Sequence, residues 1–167
     1  MSKYVLGIDV SKKDLSIALL INGKFHEKTV ENSSQGFHSL MKFIKSKTSE
    51  KHIIYLESTG IYSEDISDFF FENSFDVKVI NPLKIHAFGK AKLSRNKTDK
   101  ADAKLIAEYG KTFPEERSYT PKSSNQKMLK ALYRTYVAFI NQTIVCKTHL
   151  ESSKDSDVRC TVPYCRG

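Results

Sequence analysis

The sequence predicts an α/β fold in which a mixed five-stranded sheet has helices on its faces. One observation is a set of three strand-like segments near the N-terminus, two of them joined by Asn22-Gly23, a dipeptide typical of a tight hairpin. A second is that helix-like segments alternate with two further strand-like segments, as in layered α/β proteins. A third is a repeated pattern at 4–11 and 52–57, where an apolar run has an acid near its end.

The first three strands are predicted to form an antiparallel meander. Residues 4–11 are a short apolar run rich in β-branched side chains, which suits a strand covered on both faces. Residues 15–21 form a second apolar run that ends at the hairpin turn. Residues 24–30 are mostly polar, which is typical of an exposed edge strand.

Two helices and two strands are predicted next, in alternation. The first helix begins near 32–35, and the apolar residues that keep helical spacing behind it are Phe37, Leu40, Met41 and Ile44. The strand at 52–57 leads through a turn into a second helix, whose predicted apolar stripe is Ile61, Ile66, Phe69 and Phe70. The fifth strand, at 75–80, is stopped by Asn81-Pro82.

The chain is predicted to divide into an α/β domain at 1–112, a linker at 113–125, a helix at 126–151 and a tail at 152–167. The linker contains two prolines, and we expect the polar tail to be disordered. Apolar side chains in the helix follow a heptad spacing over about three heptads. This pattern predicts either the start of a coiled coil or an amphipathic helix packed on the domain.

The charge balance indicates a polyanionic partner, and nucleic acid is the first candidate. The chain has 27 Lys and Arg residues against 19 Asp and Glu residues, a net charge of +8 and a sequence pI near 9.3. A solvated lysine-rich surface would give the same balance, so the charge alone does not decide between the two explanations.

Cysteine usage and hydropathy indicate a cytoplasmic protein without a membrane partner. No segment is long and apolar enough to span a bilayer, and the N-terminus shows no secretory pattern. The three cysteines are an odd number and lie late in the chain, which argues against a disulfide framework. Cys160 and Cys165 lack a second Cys or His pair that would complete a zinc site.

Four carboxylates form the predicted site: Asp9, Glu57, Asp99 and Asp102. Asp9 and Glu57 are near the ends of strands that we expect to be parallel neighbours, where ligands of open α/β sheets gather. Asp99 and Asp102 have the spacing of one helix face, on a helix that begins near Thr98. Converging acids repel one another unless cations neutralise them, and hard divalent ions prefer oxygen ligands. Two such ions can hold the attacking and leaving oxygens of a phosphodiester exchange.

Each acid also has an explanation that involves no site. Asp9 could cap the turn that follows its strand, and Glu57 could cap a helix. Asp99 could be a favourable charge at a helix N-terminus, and Asp102 an ion-pair partner of Lys104 or Arg95. A strand, an acid and a hairpin also open the phosphate site of actin-like ATPases and sugar kinases. The chain lacks a second glycine-rich phosphate loop and is short for two lobes, which disfavours that class.

Four stretches together resemble a known family. They are LGIDVSK at 6–12, ESTGIY at 57–62, NPLKIHAF at 81–88 and KTDKADA at 97–103. They are similar to the DEDD insertion-sequence transposases, the RuvC-like, bridge-RNA-guided recombinases related to the Piv DNA invertase. The resemblance is close over about residues 4–110 and looser to about Leu150.

The resemblance implies an RNase H-like (RuvC-like) fold and an acidic tetrad that binds Mg²⁺ (or Mn²⁺). The implied tetrad is Asp9, Glu57, Asp99 and Asp102. It further implies DNA strand cleavage and exchange during transposition, together with a second, C-terminal domain that has a nucleophilic serine. We find no matching serine context at Ser152 or Ser153, so we expect an N-terminal part of such a recombinase. The alternative is a catalytically inactive fragment that only binds nucleic acid.

The expected partners are DNA, a structured guide RNA and a second copy of the chain. A basic segment after the fifth strand is predicted to contact phosphates through Lys84, Lys90, Lys92, Arg95, Lys97 and Lys100. The helix at 126–151 is predicted to mediate homo-oligomerisation.

Overall fold

The computed structural model describes residues 4–50, 52–92 and 99–152, without the side chains of Asp99 and Lys100. The chain divides into two compact units, Met1–Pro121 and Lys122–Gly167. The described elements of the first unit are, in order, β1 Tyr4–Val10, β2 Asp14–Ile21, β3 Lys24–Glu31, α1 Ser34–Lys47, β4 Ile53–Glu57, α2 Glu64–Glu72, β5 Asp76–Ile80, α3 Pro82–Ala91 and α4 Asp99–Thr112. The second unit contains α5, Ser124–Ser152.

The five strands form one mixed sheet in the order β3-β2-β1-β4-β5. Strands β1, β2 and β3 pair antiparallel, whereas β4 pairs parallel to both β1 and β5. Asn22 and Gly23 both have positive φ, of 48° and 84°, as the tight turn between β2 and β3 requires. The predicted meander, the mixed sheet and the neighbouring positions of β1 and β4 are therefore confirmed.

Helices α1 and α2 cover one face of the sheet. The Ser33 side chain caps α1 by accepting a hydrogen bond from the backbone N–H of Gly36 (3.2 Å), which satisfies one of the free donors of the first turn. The predicted apolar residues of α1 are buried in the core of this face, as are two of those predicted for α2, Ile66 and Phe70. Ile61 was wrongly assigned to the stripe of α2, because it precedes the helix and is 50% exposed.

Helices α3 and α4 contribute a second apolar cluster with residues from β1, β4 and β5. The approach of α4 to β1 is unusually close at Gly7. A Cβ atom on Gly7 would overlap the Ala103 carbonyl oxygen and the Ala107 backbone nitrogen. Only a residue without a side chain fits there, so Gly7 sets how near α4 comes to the sheet.

Helix α3 was not predicted, because Asn81-Pro82 was interpreted only as the stop of β5. The same two residues begin the helix. The Asn81 side chain accepts a hydrogen bond from the Leu83 backbone N–H (2.9 Å), and Pro82 occupies the first helical position. Ile85 is buried in the second cluster, whereas Leu83 is 74% exposed.

Part of the predicted linker is held against the edge strand β5. The Lys78 ammonium is buried and donates to the carbonyl oxygens of Pro114 (2.8 Å) and Glu116 (2.6 Å). The Tyr119 backbone N–H donates to the carbonyl oxygen of Val77 (2.6 Å). These contacts cover an edge that would otherwise present unpaired backbone groups.

Helix α5 begins two residues earlier than predicted because Ser123 and Gln126 form a capping box. The Gln126 backbone N–H donates to the Ser123 hydroxyl (3.3 Å), and the Ser123 backbone N–H donates to the Gln126 side chain (3.0 Å). Within the described residues, no side chain of α5 is buried. The predicted tail at 152–167 lies outside the described residues, apart from Ser152. No helix in the described ranges has the length and hydropathy needed to cross a bilayer.

Candidate active site

One cavity of about 660 Å³ brings together three of the four predicted acids. Asp9, Glu57 and Asp102 line it together with residues of α3 and with Leu105 of α4. Their side chains belong to three elements far apart in the sequence, so only the fold assembles them. Each of the three acids is half-buried, which leaves it accessible from the cavity.

Asp9 and Glu57 reach the cavity because β1 and β4 run parallel and side by side. Ile8 of β1 lies opposite Leu56 of β4, and each acid is the next residue along its strand. Apolar residues before both acids are buried in the sheet. The two carboxylates therefore come from adjacent positions at the C-terminal edge of the parallel pair, where open α/β sheets bind their ligands.

Asp102 enters the same cavity from α4. It directly precedes Ala103, one of the two residues that pack against Gly7. Because Gly7 is two residues before Asp9, the same close contact draws the helix acid toward the strand acid. Asp99 is the first residue of α4 and shares its spacing with Asp102, but its side chain lies outside the described residues.

The donor chemistry of this cavity fits a hard divalent cation, because all three acids offer only carboxylate oxygens. Among the described residues, which do not include the Asp99 side chain, no three metal-ligating side chains converge closely enough to hold an ion by themselves. Mg²⁺ commonly takes only one or two carboxylates and completes its shell with water and substrate phosphate oxygens. The three acids are therefore compatible with an open site of that kind.

Helix α3 forms a further side of the cavity and brings the predicted residue Lys90 together with His86, which the sequence interpretation did not select. His86, Gly89 and Lys90 all line the cavity, and their spacing places them on one face of the helix. A Cβ atom on Gly89 would press against the Leu105 side chain, so α3 lies close to α4. The spacing of His86 and Lys90 was visible in the sequence, but it acquires meaning only once residues 82–91 are known to be helical.

The predicted phosphate-binding residues differ in their surroundings. Lys84 pairs with Glu116 (2.8 Å), and Lys92 pairs with Glu108 (2.6 Å), whereas Lys90 lines the cavity. Three further predicted residues have side chains outside the described part of the chain: Arg95, Lys97 and Lys100. The role of all six in nucleic-acid binding stays a prediction.

Glu116 lies in the segment 114–119 that packs along β5, and its side chain forms hydrogen bonds to both α3 and α4. Its carboxylate accepts hydrogen bonds from the Lys84 ammonium and the Tyr109 hydroxyl. Those two hydrogen bonds hold the pKa of the Glu116 carboxyl below its usual value. Burial, followed by the hydrogen bond to Glu116, raises the pKa of Tyr109 to about 12, so its hydroxyl remains a donor at neutral pH.

The chain matches the DEDD_Tnp_IS110 family model, described as Transposase, over residues 6–153. The match includes β1, β4 and α4, which contain the predicted acids. The chain belongs to the DEDD transposase family. The resemblance inferred from four short stretches is thereby confirmed.

Two curated relatives of this DEDD transposase chain are pilin gene-inverting proteins. Those of Moraxella bovis and Moraxella lacunata are each 35% identical to it over 156 residues, covering 91% of this chain and 48% of the relative. The chain thus spans about half the length of the curated relatives it matches.

Among solved structures, the chain is similar to RuvC of T. thermophilus in complex with a Holliday junction substrate. The TM-score is 0.50 at 14% sequence identity, and the match covers 71% of this chain and 100% of that one. At this identity the likeness concerns the fold alone. The predicted RuvC-like, RNase H-like architecture is confirmed.

Proposed function

We propose that this DEDD transposase chain contributes the metal-dependent part of a DNA strand cleavage and exchange reaction in transposition. The observation that supports the proposal most is the single cavity lined by Asp9, Glu57 and Asp102. Acids on the C-terminal edge of two parallel strands and on a neighbouring helix form an oxygen-donor set suited to Mg²⁺ or Mn²⁺. We assign Asp99 to the same set from its spacing to Asp102.

The chain's own residues would hold the reacting phosphate in a defined place. The backbone of Asp9 is paired with Ser16 of β2 and that of Glu57 with Ile80 of β5, which would keep the points where the two side chains begin in place when a substrate binds. Asp102 is fixed by the contact of α4 with Gly7. A bound divalent ion would supply neutralisation of the phosphate charge and activation of the attacking oxygen.

The proposed partners are DNA, a structured guide RNA and further copies of the chain. The net charge of +8 supports a polyanionic partner. Large apolar side chains of α5 are exposed at heptad spacing, among them Leu132, Tyr136 and Phe139. Such a stripe is typical of a helix that packs against another helix, which supports self-association.

A cleavage assay tests the proposed reaction. The purified chain is incubated with supercoiled and branched DNA in Mg²⁺ or Mn²⁺, and nicked, linear and joined products are separated on gels. We expect product from the wild type and none from Asp9→Asn. Asp65→Asn, which removes an exposed acid of α2 on the other face of the sheet, serves as the control and is expected to retain the activity.

A second candidate function is nucleic-acid binding without catalysis by this chain. It is favoured by the net charge of +8, which suits nucleic-acid binding and requires no bound ion. DNA binding without product in either metal would support this candidate and contradict the first.

A further inference from the structure

We propose that His86 and Lys90 of α3 form a phosphate-binding pair that holds the DNA backbone in the acidic cavity. The proposal deepens the proposed function and rests on it, because it assumes that the cavity receives a DNA phosphodiester. It assigns a substrate-contacting role to His86 and distinguishes Lys90 from the other lysines of the same helix.

The first support is the distribution of charge around the cavity. Asp9, Glu57 and Asp102 supply negative charge, and such a group repels a phosphate. His86 and Lys90 are the residues of α3 that bring nitrogen donors to the same space, and both are exposed to it. A phosphate that enters therefore meets hydrogen-bond donors from α3 as well as oxygen ligands from the sheet and α4.

The second support is the different pairing of the three described lysines on α3 and its C-cap. Lys84 and Lys92 each form an ion pair with a glutamate. Among the described residues, no such ion pair engages Lys90. A lysine that faces a cavity without an acidic partner can bind a phosphate without first breaking an existing ion pair.

The third support is the fixed position of the helix face. His86, Gly89 and Lys90 share one face of α3, and Gly89 lets that face pack directly against Leu105. Leu105 is one turn beyond Asp102 on α4. The contact between the two helices therefore sets the donors of α3 at a defined distance from the helix acid, as recognition of one phosphate requires.

The test measures DNA affinity without a divalent ion, so that it does not depend on cleavage. Fluorescence anisotropy follows a labelled branched DNA in EDTA, at several salt concentrations. We expect His86→Gln and Lys90→Gln each to weaken binding about threefold to tenfold, the loss expected for one hydrogen bond or charge contact. Lys90→Gln should also reduce the slope of log affinity against log salt by about one.

Asp9→Asn gives an effect of opposite sign in the same assay. Removal of one negative charge from the cavity should tighten binding in EDTA, because the acids repel the backbone when no ion is bound. His38→Gln and Lys42→Gln are the matched controls, since both residues are exposed on α1, on the other face of the sheet. Neither control is expected to change the affinity of the DNA complex by more than about twofold.

A second readout reports contact directly. The chain has five histidines, so the imidazole ¹H–¹⁵N signals can be assigned by substitution. We expect the His86 signal to shift when branched DNA is added and the His38 signal to stay in place. Wild-type affinity in both His86→Gln and Lys90→Gln, or an unmoved His86 signal in the complex, would overturn the inference.

The outcome also separates this inference from the proposed reaction. Loss of DNA affinity in the α3 variants without any cleavage by the wild type would support the phosphate-binding pair and contradict catalysis. Cleavage that Asp9→Asn abolishes, with unchanged binding by the α3 variants, would support catalysis and overturn the pair. A wild type that does not bind branched DNA would overturn both.

Discussion

Two glycines determine how closely the helices approach the acids of the cavity. Gly7 lets the backbone of α4 lie against β1, and Gly89 lets α3 lie against Leu105 of α4. Neither glycine has a positive φ, so backbone freedom does not explain them. At Gly7 the space is taken by backbone atoms of α4, whereas at Gly89 it is taken by the movable end of the Leu105 side chain. The sequence alone could not reveal either contact, because the packing partners are far away along the chain.

We predict that Gly7→Ala destabilises the fold by about 1–3 kcal/mol, the usual result of overpacking. Within a strand, alanine normally gives a more stable protein than glycine. A lower stability of Gly7→Ala would therefore be caused by the overlap of the new Cβ atom with α4. Urea unfolding gives the free energy of unfolding. Thr29→Val on the exposed edge strand is the control and should change it by no more than about 0.5 kcal/mol. A neutral or stabilising Gly7→Ala would show that the helix moves away easily.

The pH dependence of stability tests the Glu116 contacts. The folded pKa of Glu116 is lowered by hydrogen bonds from Lys84 and Tyr109, so the carboxylate stabilises the fold above its unfolded value of 4.5. That stability is lost as the pH falls below 4.5 and through the folded pKa. We therefore expect the wild type to be more stable than Glu116→Gln at pH 7, with a difference that shrinks toward pH 3.

Urea unfolding at several pH values measures the difference between the two proteins. Tyr109→Phe is the matched variant, because it removes the hydroxyl donor and keeps the ring that packs on Phe88 and Phe113. In the Tyr109→Phe protein, Glu116→Gln should reduce the free energy of unfolding at pH 7 by less than it does in the wild type. A difference that stays constant from pH 7 to pH 3 would contradict the role given to the carboxylate.

At the scale of elements, helix starts show which sequence signals were sufficient and which were overlooked. The start of α1 near residues 32–35 was predicted, because a polar cluster precedes an apolar stripe with helical spacing, and the structure identifies Ser33 as the cap. Asn81 and Pro82 contained an equally good signal for α3, a cap followed by proline at the first position, but proline was interpreted only as the end of β5. The capping box of α5 was overlooked in the same way.

We predict that Asn81→Ala loosens α3 and with it the side of the cavity that the helix forms. The side chain accepts from the Leu83 N–H, and loss of such a cap costs about 1 kcal/mol. Hydrogen exchange of α3 amides should become faster. Asn81→Ser keeps an acceptor and should protect those amides nearly as the wild type does, whereas equal exchange in all three proteins would show that the cap is unimportant.

Self-association through α5 is a second prediction at this scale. Leu132 is 60% exposed and belongs to the heptad stripe, so Leu132→Glu should weaken or abolish dimers detected by analytical ultracentrifugation. Asn141→Glu places the same charge at an outward heptad position and should leave association unchanged. A wild type that stays monomeric at all concentrations would contradict the proposed contact.

For the whole molecule, hydropathy patterns were sufficient to predict the sheet, but they did not predict every side of the site. Apolar runs that end in acids predicted β1 and β4 as parallel neighbours, because buried strands have a strong local signature. The α3 side of the cavity depends on long-range packing that leaves no local pattern. The same holds for Lys84 and Lys92, whose glutamate partners are distant in the sequence.

We propose that Asp9, Glu57 and Asp102, which line one cavity, hold divalent cations together with Asp99. The most direct measurement is a crystal structure of the chain in Mn²⁺, with anomalous difference maps recorded at the manganese absorption edge. We predict an anomalous peak between the Asp9 and Glu57 carboxylates, within coordinating distance of an acid of α4. An Asp9→Asn crystal should lose or weaken that peak. Carboxylates that stay apart in Mn²⁺, without anomalous density between them, would contradict the claim.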